Sequence, residues 1–179
     1  MSSIIQIKDK QFKPFLSELE IANAIQNIAQ QVNRDYNNEE VVFVAILNGA
    51  FMFASDFIKN ISLNCEITFV KVSSYIGTES SGRVDEIIGL TKELKGKNVV
   101  ILEDIVDTGI TIDKVYKLLE MQEPKSLKIC TLLYKKEAHK GKNIPDYVAF
   151  EIENKFVVGY GLDYDEAGRN LKEIFQVNE

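Results

Sequence analysis

The sequence predicts an α/β protein in which a parallel sheet is flanked by helices. Two short apolar runs, residues 41–47 and 99–102, are rich in β-branched residues and have the length of strands buried on both faces. Segments with apolar residues at spacings of three and four alternate with such runs, as amphipathic helices do. This alternation is typical of a parallel sheet that carries helices on both faces.

The elements follow in chain order from the same patterns. Ser17 and Glu20 have the spacing of a capping box, which predicts the start of the first helix. The predicted helices are 17–35, 50–59 and 111–120, and the predicted strands are 41–47, 67–73, 99–102, 127–134, 147–150 and 156–160. The polar stretch 75–97 permits either a functional lid or a disordered segment, and its residues 84–90 can pair as a hairpin arm. The polar tail is expected to form a small hood over the strand ends.

Composition and charge limit the classes of function. At 179 residues the chain is expected to form one domain, residues 1–179. Its net charge of −6 and its lack of a basic run disfavour nucleic acid and an anionic membrane as partners. Cys65 and Cys130 are isolated in apolar stretches, which predicts buried free thiols. No segment resembles a secretion signal or a membrane span, so a cytoplasmic protein is expected.

The run VVILEDIVDTGIT, residues 99–111, is the most informative segment of the chain. A buried strand leads into a turn at Gly109, and a helix starts immediately afterwards. Free backbone N–H groups and the positive end of a helix dipole attract an anion in this geometry, and Thr108 and Thr111 add hydroxyl donors. The segment lacks the Gly-Lys-Ser/Thr of a Walker loop and the GxGxxG of a dinucleotide site. It therefore predicts a phosphate site at residues 107–111, a range that includes Ile110.

Glu103 and Asp104 make this site more specific than a simple phosphate cradle. They lie at the carboxyl end of the strand, where open α/β sheets bind their ligands. Two carboxylates beside a bound anion repel it unless they face sugar hydroxyls or a hydrated Mg²⁺. A ribose 5-phosphate with a metal ion satisfies both requirements. The alternative is that the acidic pair is a solvated helix N-cap whose charge matches the helix dipole.

Residues 103–111, EDIVDTGIT, resemble the phosphoribosyl pyrophosphate loop of the type I phosphoribosyltransferases. Further segments between about residues 41 and 171 resemble, in order and spacing, the hypoxanthine (hypoxanthine-guanine) phosphoribosyltransferase family; they are LNGAFMF (47–53), SSY (73–75), Lys135, FVVGYGLDY (156–164) and Arg169. The resemblance implies a Rossmann-like fold with a hood and a flexible lid loop. It also implies Mg²⁺ as cofactor, a 6-oxopurine and phosphoribosyl pyrophosphate as substrates, and a homo-oligomer, either a dimer or a tetramer.

The resemblance assigns roles around the purine. The residue matching Asp107 exchanges a proton with N7 of the base, and the lysine matching Lys135 donates to its 6-oxo group. Phe156 is expected to stack on the base, and the backbone of Val157 to meet its Watson–Crick edge. Asp163 is expected near the exocyclic position and, through water, near a second Mg²⁺, so the metal residues implied are Glu103, Asp104 and Asp163.

The resemblance also assigns a pyrophosphate site and a lid. Asn48 and Gly49 match the pyrophosphate loop, which in the family contains an unusual cis peptide bond, and Arg169 matches an arginine that contacts pyrophosphate. The family commonly has Lys or Arg where this chain has Asn48. Ser74 and Tyr75 match the start of the lid, which closes over the oxocarbenium-like centre and excludes water.

Each of these assignments has a structural alternative. Asp107 could act only as an N-cap, Lys135 could lie in a solvated loop, and Phe156 could be a core residue. His139, the only histidine, is expected to be a surface side chain.

Three functions compete on this sequence. The first is the purine salvage enzyme that the resemblance implies. The second is a regulator that binds phosphoribosyl pyrophosphate and controls RNA or DNA, for which a basic face or an added DNA-binding domain would be expected. The third is a phosphoribosyltransferase for another base, such as orotate or xanthine. FVVGYGLDY and Lys135 favour a 6-oxopurine over orotate, but they do not separate hypoxanthine, guanine and xanthine.

Overall fold

A six-stranded sheet forms the centre of the protein. The computed structural model describes residues 3–76 and 83–178, without the side chains of 73–76 and 83–88. The sheet has the order β5-β4-β3-β6-β7-β8, in which the last five strands are mutually parallel and β5 is antiparallel at the edge. Its strands are β3 (Val41–Ile46), β4 (Cys65–Ile76), β5 (Arg83–Ile88), β6 (Asn98–Val106), β7 (Ser126–Tyr134) and β8 (Tyr147–Glu151).

The central strands are buried on both faces, as their composition predicts. Every residue of β3 is buried, and so is nearly all of β6. Pairing is in register along both, from Val41 opposite Asn98 to Ala45 opposite Leu102. Strand β6 runs four residues beyond the predicted end, so Glu103 and Asp104 lie inside the ladder rather than in the loop after it. Their backbones are therefore held by the sheet.

Three helices cover the two faces of this sheet. They are α1 (Glu18–Asp35), α2 (Phe51–Ile58) and α3 (Ile110–Glu120). Apolar residues of α1 and α2 share a core with alternate residues of the central strands, whereas α3 packs on the opposite face. The predicted capping box is confirmed, since Ser17 N donates to Glu20 Oε2 at 2.9 Å and Glu20 N donates to Ser17 Oγ at 3.3 Å. The prediction of helices on both faces is also confirmed.

The hood is a second sheet of four antiparallel strands, and the sequence predicted only part of it. Its order is β1 (Ile5–Ile7), β2 (Lys10–Leu16), β10 (Ile174–Val177) and β9 (Val157–Val158). Thus the N-terminal hairpin, for which no structure was predicted, supplies half of the strands. Residues 147–150 instead join the main sheet as β8. The strand predicted at 156–160 is limited to Val157–Val158, and Gly159, with a φ of +105°, turns the chain directly after it.

Three further expectations can be compared with the structure. The predicted hairpin arm is confirmed, since β4 pairs with β5 from Lys71–Ile88 to Ile76–Arg83, while the side chains of Ser74 and Tyr75 lie outside the description. Both cysteines are free, but only Cys130 is buried, whereas Cys65 is the first residue of β4 and is partly exposed. Among the described residues, no helix combines the length and apolarity needed to cross a membrane.

Candidate active site

The predicted phosphate site is a tight turn between β6 and α3. Gly109 is the N-cap of α3 with φ 86° and ψ −7°, a left-handed conformation that glycine adopts without steric cost. No side chain caps this helix in the described part of the chain, so the amides of its first turn are available to an anion. The turn borders a cavity of about 230 Å³ whose lining includes Glu103, Asp107, Thr108, Gly109 and Thr111. Ile110, by contrast, is 62% exposed.

The acidic pair at the end of β6 is buried. Glu103 and Asp104 are each 8% exposed, and Oε2 of Glu103 has no hydrogen-bond partner in the part of the chain that the structure describes. Burial, together with the neighbouring Asp104 carboxyl, raises the pKa of Glu103. Burial also raises the pKa of Asp104 to about 6, although the backbone N–H of Ile105 opposes the shift. Burial outweighs the charge of Arg169, which lowers the pKa of Asp104. Two adjacent buried acids are costly, so this end of the strand is suited to a ligand that brings positive charge or hydroxyl donors.

Asp107 and Lys135 form an ion pair beside the turn. Lys135 Nζ donates to Asp107 Oδ2 at 2.7 Å, and the lysine side chain is only 7% exposed. Lys135 N also donates to Val106 O at 3.0 Å, which fixes the lysine against the end of β6. The alternative of a solvated loop lysine is therefore wrong. The Asp107 carboxylate and the buried Lys135 ammonium group thus lie side by side at the phosphate turn.

The residues expected around a purine lie where β9 enters the hood. Phe156 is 42% exposed and packs against Phe12 and Tyr164, with ring centroids 6.2 and 5.7 Å away. Its ring is therefore supported from the hood while part of its surface stays open. Val157 is buried and pairs with Gln176 of β10, so its backbone is fixed by the sheet.

The expected pyrophosphate loop packs directly on the acidic pair. The Leu47–Asn48 peptide bond is cis. Gly49 faces the carboxyl of Asp104 so closely that a Cβ would collide with it, and Gly161 approaches the carbonyl of Gly49 in the same way. The loop at Gly49 thus lies between the Asp104 side chain of β6 and the loop at Gly161, in contacts that the sequence pattern did not reveal.

Arg169 is tied to this junction. Its Nη1 donates to Gly161 O at 2.9 Å, and its Nη2 lies 2.8 Å from Asp163 Oδ1 and 3.2 Å from Glu166 Oε2. Asp163 also accepts from Glu166 N at 2.8 Å. The described residues contain no cluster of three metal-ligating side chains. Of the three expected metal residues, Glu103 and Asp104 are adjacent and buried. The carboxylate of Asp163 instead forms an ion pair with Arg169.

His139 is the residue whose position differs most from expectation. Its ring packs edge-on against Tyr134, with centroids 5.4 Å apart, and neither buried ring nitrogen has a hydrogen-bond partner among the described residues. The side chain is only half-buried and lies against Gly109 and Gly141. This placement could not be predicted, because the polar stretch AHKGKN around His139 is typical of a solvated loop.

Comparisons with known proteins converge on one family. The model of the phosphoribosyl transferase domain matches residues 14–165. The hypoxanthine-guanine phosphoribosyltransferase of Aquifex aeolicus is 39% identical over 176 residues, which are 97% of this chain and 99% of that protein. The enzyme of the same name from Staphylococcus aureus is 43% identical over 160 residues, 89% of each chain.

Solved structures agree with the sequence comparisons. A hypoxanthine phosphoribosyltransferase from Staphylococcus aureus has a TM-score of 0.85 at 41% identity, over 93% of this chain and 91% of that chain. A hypoxanthine-guanine phosphoribosyltransferase from Bacillus anthracis has a TM-score of 0.82 at 36% identity, over 98% of this chain and all of that chain. The similarity extends over both the main sheet and the hood.

Proposed function

The chain belongs to the phosphoribosyltransferase family, and we propose that it is a purine salvage enzyme. It transfers the 5-phosphoribosyl group from phosphoribosyl pyrophosphate to hypoxanthine or guanine, which yields IMP or GMP and releases pyrophosphate. The observation that carries this proposal is the buried Lys135 paired with Asp107 above the phosphate turn. This pair supplies a donor for a 6-oxo group and an acid–base group, both fixed relative to a sugar phosphate.

The phosphate turn would hold the 5′-phosphate. The backbone N–H groups of residues 108–111 start α3 and carry the positive end of its dipole, and the hydroxyls of Thr108 and Thr111 add neutral donors. A chain with net charge −6 needs such local devices to bind an anion. Ile110 would contribute only its backbone N–H to this contact, because its side chain is exposed.

Glu103 and Asp104 would hold the ribose hydroxyls and a Mg²⁺ ion. Mg²⁺ prefers oxygen ligands and is commonly held by one or two carboxylates together with substrate oxygens and water, so two adjacent acids suffice. The buried, unpartnered Oε2 of Glu103 and the raised pKa of both acids support a cationic or donating ligand here. When bound, the metal ion would neutralise charge on the leaving pyrophosphate. Asp163 would join only through water, since its carboxylate contacts Arg169.

The base would bind between the hood and Lys135. Lys135 Nζ would donate to the 6-oxo group, Phe156 would stack on the ring and the backbone of Val157 would meet the Watson–Crick edge. In the reaction, a purine nitrogen forms a bond to C1 of the sugar while the C1–O bond to pyrophosphate breaks. Asp107 accepts the proton that leaves the base at N7, a type of assistance typically worth about 10²- to 10⁴-fold in rate.

Pyrophosphate would leave past the place where the loops at Gly49 and Gly161 meet the end of β6. The backbone of Asn48 and Gly49 and the guanidinium of Arg169 would contact it there. Ser74 and Tyr75 belong to the hairpin of β4 and β5 at the sheet edge, and we assign this arm the role of a lid that excludes water. Two free cysteines are consistent with a cytoplasmic location. The family resemblance favours a dimer or a tetramer, and analytical ultracentrifugation would test this oligomeric state.

A direct assay tests the proposal. The protein is incubated with phosphoribosyl pyrophosphate, Mg²⁺ and one base at a time, and nucleotide formation is followed by absorbance. Turnover of hypoxanthine and guanine is expected. Preferred turnover of xanthine or orotate would reassign the base, and binding of phosphoribosyl pyrophosphate without turnover of any base would identify a regulator instead.

A further inference from the structure

A short segment after β7 packs on the back of the phosphate turn. We call residues 139–143 the buttress segment. Its Lys140 N donates to Thr108 O at 3.0 Å, so the carbonyl of a phosphate-turn residue is held from behind. The same segment begins at the purine side, since His139 N donates to Lys135 O at 3.1 Å. It therefore connects the base lysine to the phosphate turn within a few residues.

Two glycines bring the buttress segment and the turn into backbone contact. A Cβ built on Gly141 would lie 3.0 Å from Gly109 Cα, and one built on Gly109 would lie 2.9 Å from Gly141 Cα. The first distance is tighter than most real Cβ contacts and the second is shorter than real Cβ atoms show, so a methyl group at either position would force a neighbouring group to move. The path of the phosphate turn is consequently set by the backbone behind it.

Asp113 fastens the far end of the buttress segment to α3. Its carboxylate accepts from Lys142 N at 2.9 Å, from Asn143 N at 2.9 Å and from Asn143 Nδ2 at 2.7 Å. Asp113 lies in the first turn of α3, the turn whose amides face the phosphate site. Three hydrogen bonds to one carboxylate thus join the segment to the helix end that would bind the anion.

His139 fills the remaining space. Its Nε2 would be 2.9 Å from a Cβ on either Gly109 or Gly141, so the imidazole stands in the notch between the two glycines. Its two buried nitrogens have no hydrogen-bond partner among the described residues, and its ring is held by the edge contact to Tyr134. This half-buried ring acts as a spacer, and its shape keeps the two backbones at their observed separation.

We propose that Asp113, His139 and Gly141 are positioning residues for the phosphoribosyl transfer, which hold the phosphate turn in its binding geometry and at a fixed distance from Lys135. None of them touches the substrate itself. The inference rests on the assignment of the 5′-phosphate to residues 107–111. Its consequence is that damage to the buttress segment weakens the recognition of phosphate more than the recognition of the nucleoside.

Calorimetric binding of IMP and of inosine, which lacks the phosphate, separates these effects. Asp113→Asn replaces an acceptor oxygen by an NH₂ group that faces backbone donors, and IMP affinity is expected to fall about tenfold, equivalent to about 1.4 kcal/mol. Inosine affinity is expected to change less than about twofold. Glu120→Gln, at the exposed end of the same helix, is the matched control and should leave both affinities unchanged.

Two more variants make each outcome decisive. Thr111→Ala removes a phosphate donor directly, so an unchanged IMP affinity in this variant would refute the assignment of the phosphate site. If Thr111→Ala weakens IMP binding but Asp113→Asn does not, the site stands and the buttress is overturned. Equal losses of IMP and inosine affinity in Asp113→Asn would also overturn it. Gly141→Ala, checked for folding by thermal unfolding, should repeat the selective loss of IMP binding.

Discussion

Acidic residues at the two ends of the parallel strands have pKa values shifted in opposite directions. At the amino ends, Glu39 pairs with Lys125 at 2.6 Å and accepts from Asn98 at 2.7 Å, and Glu66 pairs with Lys92. Hydrogen bonds and these lysines lower the pKa of both Glu39 and Glu66. At the carboxyl ends, the pKa of Glu103 and Asp104 is raised instead.

The difference shows which end of the sheet is built for a ligand. A cavity of about 270 Å³ also lies at the amino ends, but the charges described around it already have partners. At the carboxyl ends, a buried oxygen of Glu103 has no partner among the residues that the structure describes. Satisfied charges stabilise a fold, whereas buried unsatisfied charges cost stability and are typical of functional sites. The following predictions test this contrast, from the largest expected effect to the smallest.

The largest effect is expected for Asp107→Asn. The amide keeps the shape of the side chain but cannot accept the proton of the base, so kcat should fall about 10²- to 10⁴-fold. Nucleotide binding should fall only modestly, because the phosphate turn is intact. Steady-state kinetics with hypoxanthine, together with IMP binding by calorimetry, measures both quantities. Unchanged turnover would remove Asp107 from the mechanism.

Asp104→Asn should lower activity and yet stabilise the ligand-free protein at alkaline pH. The folded pKa is raised from 3.8 to about 6, so the unfolded chain releases this proton first as the pH rises. The free energy of unfolding therefore falls between about pH 4 and pH 6 and then stays lower, by about 3 kcal/mol at about 1.4 kcal/mol per pKa unit.

Urea unfolding of wild type and Asp104→Asn at pH 4 and pH 8 checks this expectation. The variant should exceed wild type in stability at pH 8 and lose that advantage at pH 4. Removing the Asp104 charge also relieves Glu103, whose pKa it helps to raise. A variant that is less stable than wild type at pH 8 would mean that the acid is stabilised as a charge, as Glu39 is at the other end of the sheet.

How much of this site the sequence predicts depends on the distance along the chain between the residues that form it. The phosphate turn is local: strand, Gly109 and helix follow within thirteen residues, so composition alone predicts it. The hood strand at Phe12 was missed because its burial depends on Val158 and Phe175, far along the chain. The contact of Gly49 with Asp104 was missed for the same reason, because a glycine in sequence does not reveal its neighbour.

A smaller effect is expected for Asn48→Lys, which adds a cation to the carboxyl ends of the strands. Asn48 is exposed beside Gly49, and an added ammonium group can approach the pyrophosphate. An exposed charge contact is worth up to about 1 kcal/mol, so the KM for phosphoribosyl pyrophosphate should fall about two- to fivefold. The neutral Asn48→Gln serves as control. An unchanged KM would indicate that the backbone alone makes the contact.

The smallest effect is expected for Glu39→Gln at the amino ends. The folded pKa of Glu39 is lowered, so its charge adds stability above about pH 4.5 and this contribution is lost as the pH falls through the lowered pKa. Because the side chain is largely exposed, the change in Tm at neutral pH should be small and should disappear near 1 M salt, where the Debye length is about 3 Å.

Turnover of the Glu39→Gln variant should stay at the wild-type level, since this end of the sheet has no part in the proposed reaction. Calorimetric unfolding at low and high salt and the hypoxanthine assay measure both. A clear loss of turnover would show that the two ends of the strands are coupled, and the assignment of charge to stability at one end and to chemistry at the other would fail.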